Sequence, residues 1–224
     1  MNEYFHLELG SYKDQVNWYG RFALGMLKNS LMAFETVDRE VAADVVRQKE
    51  YIASQYDLLN ERGVLLIALN QPMASDLRSI ACSLDMITSS ERVGRYGKDI
   101  AELIVQFTDR EHVPEISGLL AEMGEKTITM LDIVYNAFAT GDSSTQVSSL
   151  SRIEDEIDRM YDHVYEACVA AMEQDVSVVP QCSAYHMINR YLERCADHAC
   201  RMGEKVYYMQ TGKRMSIDGI GRLT

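Results

Sequence analysis

The chain has 224 residues and a formal net charge of −12, from 34 acidic and 22 basic side chains. This charge excludes nonspecific nucleic-acid binding and adhesion to anionic lipid, because both need a basic surface. Apolar residues make up 47% of the chain and only 3 residues are proline. The composition therefore favours a helical protein with enough apolar material for a large core.

Cysteine usage and the N-terminus indicate the compartment. The 5 cysteines lie within helical patterns and form no Cys-x-x-Cys pair, which is typical of reduced thiols. The first residues include acids and no apolar run of signal-peptide length, and no uncharged stretch is long enough to cross a bilayer. We therefore expect a cytoplasmic protein that is neither secreted nor membrane-spanning.

The first half of the chain predicts three long helices. Apolar residues at three- and four-residue intervals indicate one helix over residues 9–36 and a second over residues 37–69. Pro72 then interrupts the pattern, because proline cannot continue a helical hydrogen-bond ladder. A third helix follows over residues 75–107.

The second half predicts three more helices. A break at residues 112–114 precedes a fourth helix over residues 114–139. After a turn that begins at Thr140, a fifth helix covers residues 144–173. A linker then leads to a sixth helix over residues 180–208.

The helices together predict the fold class. No segment shows the clean alternation of a half-buried strand. We predict an all-α protein of two tandem three-helix bundles with six long helices. The N-terminal bundle covers residues 1–110, the C-terminal bundle covers residues 111–212, and residues 213–224 form a loose tail.

The two halves are also related in sequence. Residues 47–57 align without gaps on residues 152–162 and share Arg, Ile, Tyr and Asp at the same offsets. Farther along, residues 91–92 fall on residues 193–194. We interpret the chain as a duplicated helical unit. The second copy carries carboxylates, here called the acidic set, at five positions: Glu154, Asp158, Asp162, Glu193 and Asp197.

The acidic set predicts a cation site. Four-residue spacing places the carboxylates in one stripe on each of the fifth and sixth helices, and antiparallel packing brings the two stripes together. Oxygen ligands suit magnesium, calcium or manganese, and bridging carboxylates suit iron or zinc clusters. His163 and His198 each follow a member of the set, and we assign them flanking roles.

Three alternatives to a regulatory metal site stay open. The carboxylates can form a solvated face balanced by neighbouring arginines, which are Arg152, Arg159, Arg190 and Arg194. They can form a docking surface for a basic partner. They can also serve a metal-dependent hydrolase or redox enzyme, although no Ser-His-Asp arrangement or nucleotide fingerprint accompanies them.

The first half lacks most of these acids. Its equivalent positions hold Lys49, Ala53, Asp57, Glu91 and Arg95. We predict that Lys49 and Arg95 pair with Glu91 or Asp57, so that an internal ion pair replaces the metal ion.

Three motifs carry a resemblance to a known family. Residues 71–78 read QPMASDLR and resemble the QPxASDLR turn of the PhoU family, which regulates phosphate uptake. Residues 192–197 read LERCAD and are similar to the LERIAD helix of that family, and residues 91–94 (ERVG) look like its first copy. Arg95 stands where the family usually has Asp. The resemblance extends over residues 10–212.

The resemblance implies a fold and a metal site. Family members have two three-helix bundles, each with a metal site, and some carry iron or zinc clusters. Carried over to this chain, the C-terminal site falls on the acidic set, with iron, zinc, manganese or magnesium as the ion. The N-terminal site would need acids at Lys49, Ala53 and Arg95, so we expect it to be lost.

The resemblance also implies a function. PhoU-like proteins are non-catalytic adaptors that hold uptake or signalling down when phosphate is plentiful. The expected partners are the ATPase subunit of a phosphate ABC transporter or another phosphate carrier and, in many bacteria, a sensor histidine kinase. We expect a homodimer that reaches the membrane through its partner only and binds no nucleic acid.

Overall fold

The computed structural model of the protein describes residues 3–106, 113–141 and 147–217. In these ranges regular structure is helical throughout, which confirms the all-α prediction, and no helix has the length and apolar character that a membrane span requires. Short 3-10 turns at residues 147–149 and 176–178 precede two of the helices. The α-helices of the described ranges are α1 Glu3–Thr36, α2 Arg39–Arg47, α3 Lys49–Asn70, α4 Ser75–Gln106, α5 Pro114–Thr140, α6 Leu150–Gln174 and α7 Val179–Thr211.

The helix predicted over residues 37–69 is bent, and its two segments are α2 and α3. At the bend, the N–H of Gln48 donates to the carbonyl of Val45 at 3.1 Å. This hydrogen bond spans three residues, as in a 3-10 helix, and not the four of an α-helix. The carbonyl of Gln48 in turn accepts from the N–H of Ile52 at 3.0 Å. Helical hydrogen bonding therefore continues across the bend, and α2–α3 together correspond to one of the six predicted long helices.

Local chemistry accounts for the ends of several helices. The Asp38 carboxylate accepts hydrogen bonds at 3.0 Å from the N–H groups two and three residues further on, which caps the start of α2. Gln71 takes the left-handed conformation, with φ of 47°, and ends α3 immediately before a proline. Gly141 and Gly212 end α5 and α7 in the same conformation, with φ of 76° and 69°, which glycine adopts without a steric penalty.

Four helices form the centre of the molecule. Both α1 and α7 pack against α4 and α5. Among the other described α-helices, α2–α3 flank only α1 and α4, and α6 packs only on α5 and α7. The two bundles therefore lie side by side and share a continuous core. The Tyr135 ring of α5 lies against Gly20 of α1, and its hydroxyl is 3.0 Å from the hydroxyl of Ser90 on α4.

The contact between α1 and α4 depends on a glycine. A Cβ atom at Gly97 would lie 2.8 Å from the backbone nitrogen of Leu27 and 3.0 Å from the carbonyl carbon of Met26. Only a residue without a side chain lets the two backbones approach this closely. Gly97 thereby sets the separation of the two most extensively packed helices.

Part of the predicted tail is packed on the bundle. Ile217 is 3% exposed, and its N–H donates to the carboxylate of Glu204 on α7 at 2.8 Å. The apolar side chain is buried in the common core, which holds this end of residues 213–217 in place. The rest of the tail, and parts of the predicted break at residues 112–114 and of the turn that begins at Thr140, lie outside the described residues.

Candidate functional site

The acidic set lies on α6 and α7, and two contacts define how these helices are aligned. The side-chain amide of Asn189 donates to the main-chain oxygen of Tyr161 at 2.9 Å. The rings of His186 and Tyr165 lie 5.5 Å apart. Residue numbers fall along one helix as they rise along the other, so α6 and α7 are antiparallel, as predicted.

This alignment places four of the five predicted ligands at one seam. One helical turn beyond Asn189, Glu193 lies at the same height along the helix axes as Asp158. One turn further, Asp197 lies at the same height as Glu154. All four side chains are partly buried, whereas Asp162 is exposed. We call the four residues at the contact of the two helices the acidic seam.

An arginine lies among these carboxylates. The guanidinium of Arg194 is 3.2 Å from Asp197 Oδ2 and 3.6 Å from Glu193 Oε2. Within the described ranges, no group of three or more His, Cys, Asp or Glu side chains converges closely enough to hold a metal ion. Arg194 offsets the charge of two of the four carboxylates, and the metal centre stays a prediction.

In the first bundle, an ion pair occupies the equivalent place. The Nε atom of Arg95 lies 2.5 Å from Glu91 Oε1, and the Nε atom of Arg92 lies 3.7 Å from Glu91 Oε2. Glu91 is 9% exposed, and a buried carboxylate needs such a partner. The predicted pairing of Arg95 is confirmed. Lys49 forms no ion pair with Glu91 or Asp57 in the described part of the chain.

The predicted flanking histidines lie in different surroundings. His163 is exposed and lines an open cleft of about 330 Å³ between α5 and α6, away from the seam with α7. In this cleft Lys126 binds Glu156 at 2.8 Å, and that hydrogen bond lowers the pKa of the Glu156 carboxyl. His198 instead lies at the contact of α4 and α7, where the two bundles meet. Neither position is that of a metal ligand in the acidic seam.

Lys205 lies at the contact of α4 and α7, and the sequence did not predict this contact. Lys205 of α7 pairs with Asp85 of α4 at 2.9 Å, and the Tyr96 ring stacks on the Tyr191 ring at 5.5 Å. This antiparallel alignment places Arg92 of α4 level with residue 198 of α7. Arg194 and Arg201 lie seven residues apart on α7, and Arg92 lies on α4, but the sequence did not predict which helices meet across the bundles.

The arginines affect the electrostatics of His198. Burial, followed by the positive charges of Arg201, Arg92 and Arg194, lowers the pKa of His198 to about 4. The Nδ1 atom of this ring is buried and has no hydrogen-bond partner among the described residues. The imidazole is therefore neutral at physiological pH.

Comparison with known proteins identifies the family of the chain. The model of the PhoU domain matches residues 16–104 and 120–206, one match in each bundle. A protein of Rhizobium meliloti (strain 1021) named as a phosphate-specific transport system accessory protein PhoU homolog is 27% identical over 93% of this chain and 87% of its own length. A homolog of the same name from Streptococcus pneumoniae is 25% identical over 97% of this chain and 100% of its own length.

Solved structures show the same fold. A crystal structure described as the phosphate transport system regulatory protein PhoU from Streptococcus pneumoniae superposes with a TM-score of 0.86 at 24% identity, over 95% of this chain and 99% of the other. PhoU from Pseudomonas aeruginosa superposes with a TM-score of 0.88 at 24% identity, over 93% and 100%. These similarities confirm two tandem helical bundles. Because the family model covers most of both bundles, the chain belongs to the PhoU family.

Proposed function

We propose that this chain is a regulator of phosphate transport that limits uptake, or signalling, when phosphate is plentiful. The observation that carries the proposal is the PhoU-domain match in both bundles. Relatives that carry the name of a phosphate-specific transport accessory protein align over nearly the whole chain, which supports a role for the entire molecule. Residues 71–78 carry the QPMASDLR turn, which resembles the QPxASDLR turn of the family.

The proposed role is that of an adaptor without catalytic activity. A metal-dependent hydrolase or redox enzyme would need an open coordination position and a nearby general base. In this chain Arg194 and Arg95 are ion-paired with acids at the two sites where such chemistry would be sought. This arrangement supports a non-catalytic role for those carboxylates.

The proposed partner is a phosphate transporter, either the ATPase subunit of an ABC system or another phosphate carrier. A sensor histidine kinase is a further proposed partner. We place the protein in the cytoplasm as a homodimer that reaches the membrane through its partner and does not bind nucleic acid. The chain's net charge of −12 supports the last point, because nucleic acid would be repelled.

Metal binding in the C-terminal bundle remains part of the proposal. Iron, zinc, manganese or magnesium would be held by the acidic set, which offers oxygen ligands alone. Binding would require Arg194 to release Asp197 and Glu193, because a cation and a metal ion cannot share the same carboxylates without repulsion.

Co-purification tests the adaptor role. The chain, carrying an affinity tag at its N-terminus, would be recovered from gently solubilised membranes of cells grown in high phosphate, and the captured proteins identified by mass spectrometry. We expect a phosphate-transporter subunit to be enriched over a control in which the tag alone is expressed. Recovery of the folded chain without any transporter subunit or sensor kinase, at both high and low phosphate, would contradict the adaptor role.

A further inference from the structure

Two of the cysteines meet at the contact of α6 and α7. Cys168 lies on α6 and Cys182 lies on α7. The rings of Tyr165 and His186 are 5.5 Å apart across the same contact. One further helical turn along each antiparallel helix brings the two cysteines level. Their thiols are hydrogen-bonded to each other and are 2% and 0% exposed, so the two sulfur atoms lie side by side in the core.

The hydrogen bond makes the two thiols unequal. Burial, together with the neighbouring Cys182 thiol, raises the pKa of Cys168 to about 12. Burial also raises the pKa of Cys182, but the hydrogen bond from Cys168 acts in the opposite direction and lowers it. Cys168 is therefore the donor, and Cys182 is the sulfur that becomes a thiolate first. A thiolate is the reactive form of cysteine, so Cys182 is the nucleophile of the pair.

The pair lies close to the end of the helical hairpin that α6 and α7 form. The first helix ends at Gln174 and the second begins at Val179. The turn between them is exposed, and Val176 within it is 78% exposed. Exposed ends of a helical hairpin open locally at a lower free-energy cost than the centre of a core. A small oxidant can therefore reach the thiols during local opening, although the closed hairpin buries them.

We propose that Cys168 and Cys182 form an oxidation site, at which hydrogen peroxide converts the two thiols into a disulfide between α6 and α7. The Cys182 thiolate attacks one peroxide oxygen and the O–O bond breaks, which leaves a sulfenic acid on Cys182 and a hydroxide that takes up a proton. The Cys168 sulfur then attacks the Cys182 sulfur, and the hydroxyl group leaves with the Cys168 proton as water. The two thiols are oxidised by two electrons in total, and the peroxide is reduced to two water molecules.

The disulfide would close the end of the hairpin that carries the acidic seam. A thiol reductant would reverse the reaction by thiol–disulfide exchange. The proposal rests on the contact of the two cysteines and not on the proposed function, since the thiols can be oxidised in a protein without any effect on transport.

Counting thiols tests the proposal on the full chain. The native protein would be treated with hydrogen peroxide, the peroxide removed with catalase, and the remaining thiols counted with Ellman's reagent in denaturant. We expect the count to fall by two, from 5 to 3, and to return to 5 after dithiothreitol. Mass spectrometry should find a single chain that is lighter by two hydrogen atoms. Digestion of that chain without reductant should yield one linked peptide pair, which contains Cys168 and Cys182.

Alanine variants identify the pair. After peroxide treatment, Cys168→Ala and Cys182→Ala should yield no chain that is lighter by two hydrogen atoms. Cys195→Ala is the matched control, because Cys195 is also a buried cysteine of α7 and its loss should leave the disulfide unaffected. Circular dichroism would verify that the variants are folded, and the linked peptides of the wild-type chain give the answer if one is not. A wild-type chain that keeps all 5 thiols, thiols lost without a linked pair, a pair that contains another cysteine, or the same loss of mass in Cys168→Ala would overturn the proposal.

Discussion

Replacing Gly97 by alanine should destabilise the protein, although alanine is the better helix former. In an open helix interior the change gains about 1 kcal/mol. At Gly97 the new Cβ would lie 2.8 Å from the backbone nitrogen of Leu27, closer than the roughly 3.5 Å at which non-bonded carbon atoms begin to attract. Backbone atoms cannot rotate away, so α1 and α4 must move apart.

The expected size follows from the two opposing effects. Overpacking a tight contact costs about 1–3 kcal/mol, and the backbone contact at Gly97 places this site in the upper part of that range. Subtracting the helix-propensity gain leaves a net loss of about 1–2 kcal/mol. Gly118 is the matched control, because it lies on exposed α5 surface and its added Cβ would meet no atom within 4 Å. Gly118→Ala should gain about 1 kcal/mol.

Urea unfolding followed by far-ultraviolet circular dichroism measures both variants. The free energies of unfolding of Gly97→Ala and Gly118→Ala should move in opposite directions and differ by about 2–3 kcal/mol. A Gly97→Ala protein as stable as Gly118→Ala would refute the close approach of α1 and α4. It would also remove the argument that this contact organises the four central helices.

Three further predictions concern the core and the acidic seam. Tyr135→Phe should lower the free energy of unfolding by about 1–2 kcal/mol, because it leaves the buried Ser90 hydroxyl without its partner; an unchanged unfolding midpoint would contradict that hydrogen bond. Native thiols should react slowly with Ellman's reagent and rapidly in denaturant, because all 5 cysteines are buried and burial raises the pKa of Cys82 to about 12; a thiol that reacts at once in the native protein would contradict this. Elemental mass spectrometry of protein purified without a His-tag or chelator should find iron, zinc, manganese or magnesium that disappears in a Glu193→Ala, Asp197→Ala variant; a metal-free, folded wild type would leave the acidic seam as an ion-paired or docking face.

Much of the fold could be predicted because helical periodicity and proline breaks are local signals. The all-α class and the pair of bundles follow from the apolar spacing and from the alignment of residues 47–57 with residues 152–162. The bend at Gln48 gave no such signal, because no proline or glycine marks it. Burial of Ile217 was equally hidden, since it depends on the packing of this residue against Gly203 of α7, close to Leu150 and Val147.

The acidic seam was predicted in part. Four-residue spacing predicted one stripe of carboxylates on each helix, and the antiparallel packing of α6 and α7 brings four of the five residues level. Arg194 was already one of the arginines considered as their counter-charges. The contact of α4 with α7 was missed for a physical reason. Helical periodicity shows which face of a helix is apolar, but it does not show which helix of the other bundle covers that face. Only the packing of α4 on α7 brings Asp85 to Lys205 and Tyr96 to Tyr191.

Phosphate uptake in living cells tests the proposed function most directly. Uptake of radiolabelled phosphate would be compared in cells with the gene deleted, in cells complemented with the wild-type chain, and in cells complemented with a chain truncated within α7 as a control. At high external phosphate we expect faster uptake, or derepressed phosphate-starvation signalling, in the deleted cells. We expect the wild-type chain, but not the truncated chain, to return uptake and signalling to their low levels. Uptake and signalling that are identical in all three strains, at both high and low phosphate, would contradict the account.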